Sequence, residues 1–115
     1  EAYKFIKQAL DLGPDKYYIL DSMGWVLYKM GHCAEAIAYL RKAQAQQDDP
    51  EIAAHLGEVL WASGELHAAK EVWEKALQVF PEDEILLNVV RGFLPNLLGE
   101  KGEGKGTVST KRCRF

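Results

Sequence analysis

The chain contains the stretch GWVLYKMG at residues 24–31 and, 33 positions later, the similar stretch GEVLWASG at residues 57–64. Three further positions repeat at the same shift, with Ala36, Leu40 and Ala43 followed by Ala69, Trp73 and Ala76. Self-similarity at a period of this length indicates a stacked helical repeat. Repeats of this kind form extended binding surfaces, so the pattern favours an interaction role over catalysis.

Apolar residues around both stretches follow the spacing of amphipathic helices. They recur at intervals of three and four, which places them on one helix face. In the segments that follow, alanines lie seven residues apart, about two helical turns, so each pair shares a face that a neighbouring helix can approach. Gly31 and Gly64 stand where helices commonly end, and Asp49 before Pro50 is a helix start. We predict helices over residues 1–12, 15–30, 34–47, 50–63, 67–80 and 83–93, and no strand.

Composition indicates a folded domain that does not bind nucleic acid. The 115 residues are 48% hydrophobic and 27% charged, and no apolar run reaches the roughly 18–20 residues of a membrane span. Residues 1–93 hold 9 basic and 15 acidic side chains, which argues against a phosphate-binding surface. Residues 94–115 are basic and rich in glycine, and we predict a disordered tail there. Two cysteines are too few for a disulfide framework, and they indicate neither a compartment nor a metal site.

Taken together, these positions resemble the tetratricopeptide repeat, a helix–turn–helix unit of about 34 residues. The small residue of its first helix is Gly24 and Gly57, and its alanines and bulky positions match those quoted above. The resemblance covers residues 1–93, although apolar residues replace the family's early tryptophan and its tyrosine. It implies an all-α, right-handed α-solenoid of antiparallel helix pairs, with about 2.5 repeats and a C-terminal capping helix.

The resemblance also implies a domain organisation. Residues 1–14 would be the second helix of a truncated repeat, followed by repeats at 15–49 and 50–82 and a capping helix at 83–93. A narrower similarity is to the C-terminal repeats of larger bacterial proteins, either envelope-associated or cytoplasmic. The compartment itself is not indicated by the sequence.

In this family the first helix of each repeat lines a concave groove. Carried over by position, the partner-binding residues would be Tyr18, Asp21, Trp25, Tyr28, Lys29, Glu51, Ala54, His55, Glu58 and Trp61. An alternative for Tyr28 and Trp61 is that they are half-packed between helices. Because the groove would be acidic and aromatic, we expect a protein or peptide ligand that is basic, or an apolar helix or strand, rather than a carboxylate-terminated peptide.

No catalytic, cofactor or metal site is predicted. Cys33 beside His32 has the residue types of a nucleophile pair, but adjacent residues rarely face each other, and both fall in a turn. His55 and His67 are 12 apart, which is not a zinc-ligand spacing. The carboxylates of Asp48, Asp49 and Glu51 are explained by helix capping.

Three hypotheses for function remain open at this point. The first is a non-catalytic scaffold that binds a protein segment in its groove. The second is a segment that positions substrate for a larger enzyme, without catalytic residues of its own. The third is a structural module that self-associates through its truncated N-terminal edge.

Overall fold

The computed structural model describes residues 16–94, together with Lys4 and Cys113, and within them it contains five helices and no strand. Each helix lies within about two residues of its predicted bounds. The helix predicted over residues 1–12 lies outside the described residues, apart from Lys4. The five helices are α1 Tyr17–Lys29, α2 Cys33–Gln46, α3 Pro50–Ala62, α4 Leu66–Val79 and α5 Glu84–Phe93.

Two helices end in the same way, at the glycines of the repeated stretches. Gly31 and Gly64 both have φ of +89°, a left-handed conformation that costs glycine nothing. In the first turn the His32 amide donates to the Leu27 carbonyl at 2.8 Å. In the second turn the Glu65 amide donates in the same way to Leu60, at 2.9 Å. This six-to-one bond satisfies a terminal carbonyl and turns the chain sharply into the next helix.

Acidic side chains cap the N-terminal ends of two helices. The Asp49 carboxylate accepts the Glu51 amide at 2.8 Å, with Pro50 at the first helical position of α3. The Asp83 carboxylate accepts the Leu86 amide at 3.0 Å at the start of α5. Both bonds satisfy amides that have no partner within the helix.

The helices pack in sequential order, which confirms the predicted solenoid. The pair α1 and α2 contacts the pair α3 and α4, and α5 covers the end of the stack by packing against α3 and α4. The repeated alanines are all buried, and so are Leu40 and Trp73, the bulky residues between them. Small side chains therefore allow the close helix contacts that the spacing predicted.

Most of the predicted tail lies outside the described residues, but Cys113 is described. Its sulfur is bonded to that of Cys33 at the start of α2, which joins positions 80 residues apart. Its amide also donates to the Ala62 carbonyl at the end of α3, at 3.3 Å. The two cysteines are therefore paired, a link that the sequence did not indicate.

Candidate functional site

The predicted groove residues lie on α1 and α3, the first helices of consecutive repeats, and they differ in accessibility. Tyr18, Lys29 and Glu51 are exposed, and Trp25, His55, Glu58 and Trp61 are partly buried. Asp21 and Ala54 are buried. Tyr28 is only 2% exposed and belongs to the core, so it is more deeply packed than the half-packed alternative describes and offers almost no surface to a partner.

A direct contact joins the two helices at the centre of this surface. His55 Nδ1 on α3 lies 2.9 Å from Asp21 Oδ1 on α1. The two side chains are 19% and 13% exposed, so this polar pair is shielded from most of the solvent. A shielded pair of this kind fixes both side chains, because either partner alone would lose its hydrogen bond.

An aromatic stack extends the same surface. The Trp25 ring lies 4.2 Å from the His55 ring, centroid to centroid, with 24° between their planes. The Tyr28 ring also contacts Trp25, with 5.1 Å between the ring centroids. Lys29 Nζ lies 4.8 Å from the Trp25 centroid, within the range of a cation–π contact. Trp25 is therefore held in one orientation by three neighbours, and part of its surface remains accessible.

Trp61 marks the other end of α3, near the capping helix. Its ring lies 5.6 Å from Phe93 on α5 and 6.0 Å from Trp73 on α4. Trp61 is partly buried and packs against the core, and part of its surface remains accessible to solvent.

Cavities on two different faces bear on where a ligand could bind. One of about 210 Å³ lies between α1 and the start of α3, and Tyr18, Asp21, Ser22, Asp49 and Glu51 are among its lining residues. The larger, of about 330 Å³, lies between α2 and α4, the second helices of the repeats. Its lining includes Arg41 and Lys75 as well as Asp48 and Glu71, so charges of both signs are present.

The structure gives no support to a cysteine nucleophile. Cys33 is bonded to Cys113, so it carries no thiol in this form. His32 Nδ1 lies 4.0 Å from Glu35 Oε1, and both side chains are exposed. The two residues of the Cys33–His32 pattern therefore make separate contacts.

A cluster that sequence reasoning missed contains Asp21, Glu51 and His55. One potential metal-ligand atom from each lies within 4.8 Å of the others. Asp21 lies on α1 and the other two lie on α3, so no spacing along the chain indicates the cluster. Their common place in the predicted groove was the signal that could have brought them together.

A stack of helix pairs whose first helices share one face defines the class of α-solenoid repeat proteins, which bind other molecules through that face. Comparison with known proteins agrees with this class. The model of the family described as "Tetratricopeptide repeat" matches residues 50–83. The TPR repeat-containing protein PA4667 of Pseudomonas aeruginosa is 52% identical over 58 residues, which is 50% of this chain. The human tetratricopeptide repeat protein 7A is 36% identical over 87 residues, or 75% of the chain.

The chain contains a tetratricopeptide repeat at residues 50–83, as the resemblance predicted, and both relatives carry the name of this family. It spans about a tenth of the length of each of these two relatives, since the matched segments are 10% of both. Repeats of this family generally mediate protein–protein interactions and are generally non-catalytic. Among the described residues, no helix has both the length and the apolar character needed to cross a membrane.

Proposed function

We propose that this chain is a non-catalytic interaction module that binds a peptide or protein segment with basic residues along the face formed by α1 and α3. The observation that carries this proposal is the combination of accessible aromatic and acidic side chains on two helices that contact each other. Tyr18 and Glu51 come from different helices and line the same cavity. Trp25 and His55 continue the face through their stacked rings.

The charge of this face favours a basic ligand. Glu51 is exposed and Glu58 is partly buried, and both lie on α3. Lys29 is held over the Trp25 ring at one edge of the face. Complementary charge raises the rate of encounter and selects against acidic competitors. The aromatic residues supply contact area at a low entropic cost, which is typical of residues that dominate binding.

The larger cavity between α2 and α4 is a weaker candidate for the same role. Its lining has two basic and three acidic side chains, a net charge of −1, whereas the lining of the smaller cavity has three acidic side chains and no basic one. The α1 and α3 face combines an excess of carboxylates with Tyr18, a tyrosine that is 56% exposed. These two properties together make it the better surface for a basic segment.

Selection of peptides from a random library on the immobilised chain tests the proposal. We expect the selected peptides to be enriched in lysine and arginine. Tyr18→Ala and Glu58→Lys should each weaken binding of a selected peptide by about tenfold or more, which corresponds to about 1.4 kcal/mol or more for the loss of an interface anchor.

Glu74→Lys is the matched control for the charge reversal. Glu74 is exposed on α4, so its reversal changes the net charge of the chain equally while leaving the proposed face intact. Affinity should then change by less than about threefold, as is usual for charges outside an interface. The proposal fails if Glu74→Lys weakens binding as much as Glu58→Lys, or if the selected peptides are acidic.

A further inference from the structure

We propose that Asp21, Glu51 and His55 form a binding site for a divalent first-row transition-metal ion, for which Zn²⁺ is the expected cation. This inference goes beyond the proposed function: it uses residues of the same face, but it concerns a different ligand and does not require a peptide to bind. It rests on the donor types, on their positions and on the space beside them.

The donor set suits such an ion. It comprises one imidazole and two carboxylates, and the two negative charges of the carboxylates balance the two positive charges of a divalent cation. Imidazole nitrogen favours zinc and its neighbours in the periodic table over magnesium or calcium, which prefer sites made only of oxygen. Three protein ligands that leave further positions open are typical of zinc sites that bind an additional ligand.

The positions of the donors also suit an ion. Ligand atoms around zinc lie about 2.0–2.2 Å from the metal, and hence roughly 3–3.6 Å from one another. His55 Nδ1 and Asp21 Oδ1 are 2.9 Å apart, and the three potential ligand atoms lie within 4.8 Å of one another. Binding therefore needs only small movements. The Glu51 side chain is exposed and can make the largest of them.

The surrounding structure holds two of the ligands in place. The His55 ring is stacked on Trp25, which fixes the plane in which its nitrogens lie. Asp21 is largely shielded from solvent, and Glu51 and His55 are four residues apart, so they share a face of α3. Ligands that are already oriented lose less conformational freedom when a metal binds.

The adjoining cavity leaves room for further ligands of a bound ion. Asp21 and Glu51 both line the space of about 210 Å³ beside the start of α3. A metal held between them would have open coordination positions facing this space, with room for water or for a donor atom of another molecule. A bound ion would also join α1 to α3, and so connect consecutive repeats directly.

Titration of the untagged chain with Co²⁺ and Zn²⁺ tests this site. We expect one Co²⁺ per chain, seen as a saturable visible absorption spectrum, and displacement of the cobalt by an equivalent of Zn²⁺. Glu51→Gln and His55→Ala should each weaken binding by about tenfold or more. Because Glu51 is exposed, Glu51→Gln is expected to fold normally, and circular dichroism checks this for both variants.

His67→Ala is the control. His67 Nε2 lies 3.1 Å from Glu71 on an exposed surface, so it offers one imidazole and one carboxylate in a second place. We expect this variant to bind both metals as the unchanged chain does. The proposal is overturned if no saturable cobalt spectrum forms, if Glu51→Gln and His55→Ala bind the metal normally, or if His67→Ala removes binding.

Discussion

At the residue scale, the contact between the two helices of each repeat depends on a glycine in the first helix. A methyl group added at Gly24 would lie 2.7 Å from Leu40 Cγ and 3.1 Å from the Ala36 carbonyl oxygen. A methyl group added at Gly57 would overlap the indole of Trp73. Neither glycine has a positive φ, so backbone conformation does not require glycine at these positions. The close approach of the second helix requires it instead.

We predict that Gly57→Ala lowers the free energy of unfolding by about 1–3 kcal/mol, as overpacking of a core does. The substitution improves helix propensity by about 1 kcal/mol, so a decrease in stability would have to come from packing. Equilibrium unfolding in urea, followed by circular dichroism, measures the change.

The control is the same substitution in a chain that carries Trp73→Phe. Trp73 is fully buried, and its indole Nε1 has no hydrogen-bond partner among the described residues, so the smaller ring removes the overlap without removing a bond. Gly57→Ala should then cost less. Equal costs in both backgrounds would mean that the Trp73 contact is not the cause.

At the element scale, a side-chain cap marks the start of two of the five described helices, α3 and α5. Asp49 both precedes a proline and accepts the Glu51 amide, whereas Asp48 makes no such contact in the described structure. We predict that Asp49→Ala lowers the free energy of unfolding by about 1 kcal/mol, through loss of this bond at the start of α3.

Asp48→Ala is the matched control, because it removes the same charge one position earlier. It should change stability by less than about 0.5 kcal/mol, which is usual for an exposed residue. Thermal and urea unfolding of the two variants give the comparison. If both variants lose the same stability, the loss is caused by removal of a negative charge near the start of the helix and not by removal of the capping bond.

The helix ends show how far local chemistry can be predicted. Gly31 and Gly64 predicted the ends of α1 and α3, because glycine is the residue that most readily adopts the left-handed conformation found after the last turn of a helix. The Asp49 cap was predictable for the same reason. In contrast, α1 begins at Tyr17 after Lys16, which makes no side-chain capping bond, so its start carries no such signal.

The groove residues could be predicted only in part, because accessibility depends on neighbours. Tyr28 and Trp61 occupy equivalent positions, yet Tyr28 is buried and Trp61 is partly accessible. Trp25 packs against Tyr28 and Lys29 lies over both rings. The equivalents of these neighbours in the next repeat are the smaller Glu58 and Ala62, which cover Trp61 less.

At the scale of the whole molecule, the stacking order was predictable because the period and the small residues are repeated along the chain. The contact between Asp21 and His55 was not, because it joins residues 34 positions apart and depends on their side-chain orientations. The Cys33–Cys113 link was also not predictable, since the spacing of two cysteines does not determine whether they meet.

This disulfide leads to a prediction about the whole chain. Closing a loop of 80 residues restricts the unfolded state, and the chain-entropy estimate gives a stabilisation of about 4–5 kcal/mol. We therefore expect a reducing agent to lower the melting temperature, measured by circular dichroism, and peptide mapping without reduction to recover the Cys33–Cys113 cross-link.

Cys113→Ser provides the control for the reducing agent itself. Its melting temperature should equal that of the reduced unchanged chain and should not respond to reduction. A melting temperature of the unchanged chain that is insensitive to reduction, or cysteines joined between two chains, would contradict this prediction.

Backbone amide NMR with a peptide selected on the chain shows whether the face formed by α1 and α3 binds a basic segment. We predict that titration shifts the amide signals of Tyr18, Trp25, Glu51 and Glu58, while those of exposed residues on α2 and α4 change little. Shifts concentrated on α2 and α4, around Arg41, Glu71 and Lys75, would show that the peptide binds elsewhere and would overturn the proposed function.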